Sequence, residues 1–328
     1  MVAAPDKLRG TASASAVAKA IGDAAFELGW DCDEAPMADG GEGTLEALGG
    51  PNRTTTVTGP LGAPVEAAWR LDGRTAIIEM AAASGLALVG GSEGNDPVAS
   101  STVGTGELVV AALDGGARRV IVGLGGSATT DGGLGALRAL HPIGRLKAVD
   151  LVVACDSRVP FLDAAEVFAP QKGATPAQVE LLRRRLERLA QVYLDEHGVD
   201  VLAMEGAGAA GGLAGGLAAA GGKLVSGFDL VADEVELDAR LEGADLVITG
   251  EGFLDEQSFE GKVVGGVASL AAALGVPVVA IAGHVYDGAG DRIDSVSLVD
   301  RFGEARARAD TLACIEEVAA DILRQRGA

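Results

Sequence analysis

Three observations predict an α/β protein of more than one domain. The chain of 328 residues is long for a single domain, and its 48% hydrophobic content is enough to bury full cores. Short β-branched runs alternate with glycine-rich turns and amphipathic stretches, the pattern of parallel strands joined by helices. Between residues 54 and 81 this alternation gives way to three closely spaced strand candidates, 54–58, 65–71 and 75–80, which places a change of domain near Gly59-Pro60.

Taken in order, residues 1–4 read as a short opening strand, and Pro5-Asp6-Lys7-Leu8-Arg9-Gly10 turns out of it. Thr11 or Ser13 caps a helix over 14–28, in which Val17, Ile21, Ala24 and Ala25 share a face. After a brief second strand comes Ala38-Asp39-Gly40-Gly41-Glu42-Gly43-Thr44, glycines and carboxylates between a strand and a helix. A helix over 105–113 leads into the run 118–122 and then Gly123-Leu-Gly-Gly-Ser-Ala-Thr-Thr-Asp-Gly-Gly133, a loop of the same design. Its glycines let the backbone approach a ligand, Ser127, Thr129 and Thr130 add hydroxyl donors, and Asp131 adds one carboxylate at a strand end. A strand over 149–154 follows, then a turn carrying Lys172 and a long helix from Pro176 to about His197 with Val179, Leu182, Leu186 and Leu189 on its apolar stripe. Near the C-terminus, Ala244-Asp-Leu-Val-Ile-Thr-Gly-Glu-Gly-Phe-Leu-Asp255 runs a strand into two acids, Glu251 and Asp255, with Gly261-Lys262 close behind. Val278 to Ala282 is a further strand, and 311–324 a closing helix.

The formal net charge of −21 excludes nucleic acid and anionic membrane surfaces as partners, since both select positive patches. No apolar run reaches membrane-spanning length and the first residues lack a secretory leader, so the expected location is the cytoplasm. Cys32, Cys155 and Cys314 lie far apart with no metal or disulfide spacing and read as small core residues. In so acidic a chain an anionic ligand needs metal ions and a few placed bases, which draws attention to Lys7, Arg9, Lys172 and Lys262. A carboxylate pair followed by a lysine suits Mg²⁺ and a phosphate, which makes Glu251 and Asp255 candidate metal ligands and Lys262 a nucleotide contact.

One motif supports a different class. Gly206-Ala-Gly-Ala-Ala-Gly211 carries the letters of a dinucleotide fingerprint, with a possible strand over 199–204 before it and Asp229 about twenty residues on. That is the basis for an alternative reading as an NAD-dependent oxidoreductase; a catalytically silent hydroxy-acid binder is a third.

The segments Ala4-Pro-Asp6, Pro36-Met-Ala-Asp-Gly-Gly-Glu-Gly-Thr44, Val57-Thr-Gly-Pro-Leu-Gly62, Gly125-Gly-Ser-Ala-Thr129 with Asp131-Gly-Gly133, Pro170-Gln-Lys-Gly-Ala174, Gly206 to Gly212 and Ile248-Thr-Gly-Glu-Gly252 through Lys262 occur in one order. In them the chain resembles the bacterial type I glycerate kinases of the glyoxylate and galactarate pathways. The resemblance implies ATP-dependent phosphorylation of D-glycerate, usually at the 2-hydroxyl, with Mg²⁺, by a monomer or homodimer. It also implies a Rossmann-like domain made of both chain ends (1–60 and 264–328) around an inserted flavodoxin-like α/β domain (61–263), with the active site in the cleft between them. For that reaction Asp131 is the expected base, standing without a nearby acid, with Asp39 and Glu42 as metal or substrate ligands; the reverse assignment to Asp39 is the alternative. Arg9, Lys7, Gly40, Gly41, Ser127 and Thr129 are the expected acceptor contacts, Arg9 as the carboxylate fork. Gly125, Gly126, Lys172, Gly208 and Lys262 are the expected nucleotide contacts. The chain departs from the family at Lys7-Leu8-Arg9, in a short segment after Leu140, at Val159-Pro160 and at His284, which bears on the substrate rather than the reaction class.

Overall fold

The structure, a computed structural model, describes every residue except Arg9, Glu260, Asp287 and Ala328. The role expected of Arg9 therefore lies outside the described residues. Eleven strands are present among them: β1 (Val2–Ala3), β2 (Asp33–Glu34), β3 (Arg53–Thr58), β4 (Pro64–Asp72), β5 (Thr75–Glu79), β6 (Arg119–Gly123), β7 (Asp150–Ala154), β8 (Lys223–Val225), β9 (Val247–Leu254), β10 (Val278–Val285) and β11 (Asp294–Ser297). They form two sheets, and the chain divides into two compact units, each built on one of them. No helix of the described residues is long and apolar enough to cross a membrane.

The first unit comprises Met1–Asp39, Glu46–Leu48 and Phe228–Ala328. Its sheet is parallel throughout, in the order β11-β10-β9-β1-β2. Alternate residues of its strands feed two separate cores, as the period of two requires when helices cover both faces. Ala3, Ile248 and Ile281 pack with Val17, Ile21, Ile315 and Leu323, while Val2, Ala4 and Val247 pack with Met37, Val231 and Val267. The helix Ala14–Glu27 opens where Ser13 accepts the Ala16 N–H at 3.3 Å, one of the two caps expected.

The second unit comprises Gly40–Leu45 and Gly49–Gly227. Its sheet follows chain order, β3-β4-β5-β6-β7-β8, with an antiparallel edge (β3 to β5) and a parallel remainder. These boundaries differ from the expected 60/61 and 263/264. Strand β3 pairs with β4, so the chain has entered the second unit before Gly59, and β9 pairs with β1 (Val2↔Val247), so the C-terminal share of the first unit begins near Phe228.

The helix Pro176–His197 carries a full capping box, Thr175 with Gln178, and ends at Gly198 in the left-handed region. It buries Leu182, Leu186, Leu189 and Tyr193. The Tyr193 hydroxyl donates to the Gly132 carbonyl at 2.8 Å, which fastens the turn after the glycine-rich loop to the helix. That turn packs in the same way against residues 208–216. Gly132 N–H donates to the Gly211 carbonyl at 3.0 Å, and a Cβ on Gly133 would lie 2.9 Å from Gly216 Cα.

The dinucleotide-like motif is thus packing. The residues before it form a 3₁₀ turn, Val201–Ala203, where a nucleotide fold requires a strand. Gly211 has φ of +71°, and a Cβ there would sit 2.0 Å from the Thr129 carbonyl oxygen. Gly221 also has positive φ (+99°) but open space around it. Gly221→Ala should cost about 1–2 kcal/mol for the left-handed backbone alone. Gly211→Ala should cost a further ~1–3 kcal/mol for overpacking. Urea unfolding of the two variants measures the difference; equal losses would show that Gly211 is needed only for its dihedral angles.

Candidate active site

In the first unit the strand order reverses between β1 and β9. From β1 the chain moves to β2 on one side, and from β9 it moves through β10 to β11 on the other. Helices crossing to opposite faces leave a crevice at the carboxyl ends of two such strands, where open parallel sheets bind their ligands. The two ends are tied by one backbone and one side-chain hydrogen bond: Asp6 N–H donates to the Gly250 carbonyl at 2.8 Å and the Thr249 hydroxyl donates to the Ala4 carbonyl at 2.8 Å.

Acids collect at this reversal. Asp6 is 9% exposed, and its carboxyl accepts the Lys7 backbone N–H at 2.7 Å. Lys7 Nζ lies 3.5 Å from Asp6 Oδ1 and 3.9 Å from Asp39 Oδ1, so one ammonium serves two carboxylates. Glu251, on β9, has Oε1 buried without a hydrogen-bond partner. Burial pushes Asp6 up to about 6, with Lys7 opposing and the charge of Asp39 adding to the rise. Burial pushes Glu251 up to about 7, opposed by Ser258 and Lys262 and reinforced by Asp6 and Asp255. Mutual repulsion among partly desolvated carboxylates is relieved by a cation.

The residues fit a divalent ion brought by a phosphate ligand. No group of three or more His, Cys, Asp or Glu among the described residues forms a metal cage. Mg²⁺ held with substrate phosphates needs only one or two protein carboxylates, and an orphaned carboxylate oxygen on Glu251 is such a donor. Asp255, the other acid expected there, turns Oδ1 to its own chain, accepting the Ser258 N–H at 3.1 Å and capping the 3₁₀ turn Glu256–Phe259. Lys262 stands at the N-cap of the helix Val263–Leu274, near enough to Glu251 to lower its pKa.

In the second unit two glycine loops meet backbone to backbone. A Cβ on Gly123 would lie 2.6 Å from the Gly40 carbonyl oxygen, one on Gly125 2.9 Å from Gly41 Cα, and one on Gly40 2.6 Å from Gly227 Cα. Gly40, Gly123 and Gly125 are therefore glycine for close approach, a sufficient reason apart from any ligand, while Glu42 is exposed. The loop is held by Glu79, whose Oε1 accepts the N–H groups of Gly43 at 2.9 Å and Leu45 at 2.8 Å. Glu79 did not stand out in sequence, although an acid closing a buried strand, Ile77-Ile-Glu79, was a usable signal.

The environment of Asp131 argues against its expected role. Its Oδ2 accepts from Thr102 N at 2.8 Å, Thr102 Oγ1 at 2.8 Å, Gly135 N at 3.1 Å and Ser101 Oγ at 3.4 Å, and its Oδ1 accepts from Gly133 N at 3.1 Å. Five donors, four of them on Oδ2, hold the carboxylate to Thr102, Ser101 and its own turn. Asp131 braces the turn, and these donors compete for the lone pairs that a substrate hydroxyl would use. Asp39 lies beside Lys7 with 35% of its side chain exposed.

Other expected contacts also prove internal. Gly208 donates its N–H to the Val159 carbonyl at 3.0 Å, and a Cβ there would meet Pro160 O at 2.2 Å. Lys172 is 4% exposed, with its ammonium on Ser127 Oγ (2.7 Å) and the Thr129 carbonyl (2.6 Å). Gly126 is exposed and Gly125 partly so, whereas Thr129 is buried with its hydroxyl unpartnered.

With this geometry in hand, comparison with known proteins is direct. Residues 1–142 and 141–326 match the model of the Glycerate kinase family. The chain is similar to a glycerate 2-kinase of Escherichia coli K12, 42% identical over 330 residues that cover 88% of this chain and 86% of the relative. It is also similar to a glycerate kinase of Bacillus subtilis 168, 42% identical with coverage of 87% and 85%. A crystal structure described as glycerate kinase 2 of Salmonella typhimurium LT2 superposes with a TM-score of 0.84 at 37% identity, over 99% of this chain and 97% of the other. Two α/β sheets with their glycine-rich loops, and sequence similarity along nearly the whole length, lead to one conclusion: the chain belongs to the glycerate kinase family.

Proposed function

We propose that this protein transfers the γ-phosphoryl group of ATP to D-glycerate, at the 2-hydroxyl as the printed name of its E. coli relative suggests. The observation that carries this reading is the set of acids at the β1–β9 reversal, Asp6 and Asp39 on Lys7 and Glu251 on β9 near enough to Asp6 to feel its charge, in a chain of this family.

In this reading Asp39 accepts the proton of the attacking hydroxyl as its oxygen bonds to the γ-phosphorus and the bond from that phosphorus to the bridging oxygen breaks. Phosphoryl transfer depends chiefly on position and charge, so the base contributes a limited share. Lys7 holds Asp39 toward the reversal and keeps positive charge beside it. Glu251, with Asp6 behind it, would hold Mg²⁺, which when bound supplies neutralisation of phosphate charge. Lys262 adds a positive charge near Glu251 for the same phosphates. Arg9 and Lys7 are the bases for the acceptor carboxylate.

Three outcomes follow. ATP, Mg²⁺ and D-glycerate should release ADP, with no binding of NADH by fluorescence; NADH binding without ADP release would overturn the kinase reading. Asp39→Asn should lower kcat by roughly 10²–10⁴-fold with little change in the KM for glycerate. Asp131→Asn should act mainly on stability, costing about 1–3 kcal/mol by leaving N–H donors facing an amide, as read from urea unfolding, while the folded fraction keeps its turnover. A reversal of the last two results would return the base to Asp131.

A further inference from the structure

Ser127 sits in the middle of the glycine-rich loop, only 9% exposed, with its hydroxyl oxygen 2.7 Å from Lys172 Nζ. An ammonium has three protons and no lone pair, so in this pair Ser127 is the acceptor. Its own proton must turn elsewhere, and the hydrogen bonds of the described residues give that proton no protein acceptor. The backbone around it is fixed. Leu86 N–H donates to the Gly126 carbonyl at 2.8 Å and Ala128 N–H to the Ser84 carbonyl at 2.9 Å. Asn95 Nδ2 bridges the Ala128 carbonyl (3.0 Å) and the Lys172 carbonyl (2.9 Å), tying the lysine's turn to the loop. The remaining freedom at Ser127 is rotation of its side chain, and the ammonium removes it.

We propose that Lys172 is a positioning residue that fixes the Ser127 hydroxyl as a hydrogen-bond donor to an anionic oxygen of a substrate. That oxygen belongs to the carboxylate of the hydroxy acid or to a phosphate of the nucleotide. The inference rests on the kinase reading above. The groups facing the ammonium are the Phe168 ring (5.7 Å from Nζ to its centroid), Ser127 and the Thr129 carbonyl; the charge acting on it is that of Asp131. Burial lowers Lys172 to about 7 against the opposing effect of Asp131. Once neutral, the amine has a lone pair that can take the Ser127 proton, and the hydroxyl turns inward.

The test is steady-state kinetics with each substrate varied in turn, across roughly pH 6 to 9 so as to bracket that pKa, for the wild type, Ser127→Ala, Lys172→Met and the double variant. Ser127→Ala should raise one KM by roughly 10- to 100-fold, the worth of one hydrogen bond to a charged group, and leave the other unchanged. A shift in the KM for glycerate identifies the carboxylate, and one in the KM for ATP the phosphate. Lys172→Met should shift the same KM, and the double variant should be no worse than the larger single effect, because both act through one proton. In the wild type that KM should rise as pH passes about 7, and in Ser127→Ala that rise should be absent. Additive effects, an unchanged pair of KM values in Ser127→Ala, or a pH rise that persists in Ser127→Ala would each overturn the proposal. If Lys172→Met fails to fold, the wild-type and Ser127→Ala profiles decide alone. Wild-type ADP release with none of these shifts refutes the Lys172–Ser127 assignment and leaves the kinase reading intact; no ADP release refutes both.

Discussion

Strands from opposite ends of the chain, β1 and β9, lie side by side, and the placement of the acids depends on that pairing. Val2 and Ala3 register with Val247 and Ile248. Strand β1 runs out into a turn beside the longer β9, so Asp6 lies near enough to Glu251 to raise its pKa, and the turn after β2 brings Asp39 to Lys7, which Asp6 also contacts. Two like charges about 4 Å apart repel by roughly 4 kcal/mol at an effective dielectric constant of 20. Burial and repulsion together explain why both Asp6 and Glu251 hold their protons more tightly than a free carboxylate. A site of this kind favours ligands that bring a positive charge, which in a chain of net charge −21 is how ATP can be bound at all.

The second unit uses glycine differently. Gly123 and Gly125 lie on Gly40 and Gly41, and Gly212 and Gly216 on Gly132 and Gly133, at distances that a methyl group on the first of each pair would not allow. The glycines make two loops and a helix start fit as one rigid body of backbone. The polar groups inside it, Glu79, Asp131 and Lys172, then serve as internal braces, each satisfying N–H groups, hydroxyls or carbonyls that the turns leave open.

Much of this was legible in the sequence. Period and capping residues located the helices Ala14–Glu27 and Pro176–His197, and β-branched runs located β3 to β7 and β10. The loops around Asp39, Asp131 and Glu251 were visible as glycines with acids at strand ends. Other features were hidden because they depend on what faces what across long separations. Nothing local in Val2 reveals that it pairs with Val247, so the boundaries of the two units were misplaced. A lone aspartate among glycines reads the same whether it faces a ligand or its own amides; Asp131 faces Thr102, 29 residues earlier, and its own turn. For Lys172, a basic residue in a glycine turn suggested a phosphate contact, and only the packing of that turn against residues 127–129 turns its ammonium inward.

The central claim is that the acids at the β1–β9 reversal, and not the aspartate of the glycine-rich loop, hold the metal and nucleotide. Electron paramagnetic resonance of Mn²⁺ titrated into the protein with saturating ADP tests it without reference to turnover. Glu251→Gln should weaken Mn²⁺ binding by roughly tenfold or more, since one of only one or two protein oxygens is lost, while Asp131→Asn should leave it within about twofold. Unchanged Mn²⁺ binding in Glu251→Gln, with a large loss in Asp131→Asn, would contradict the account.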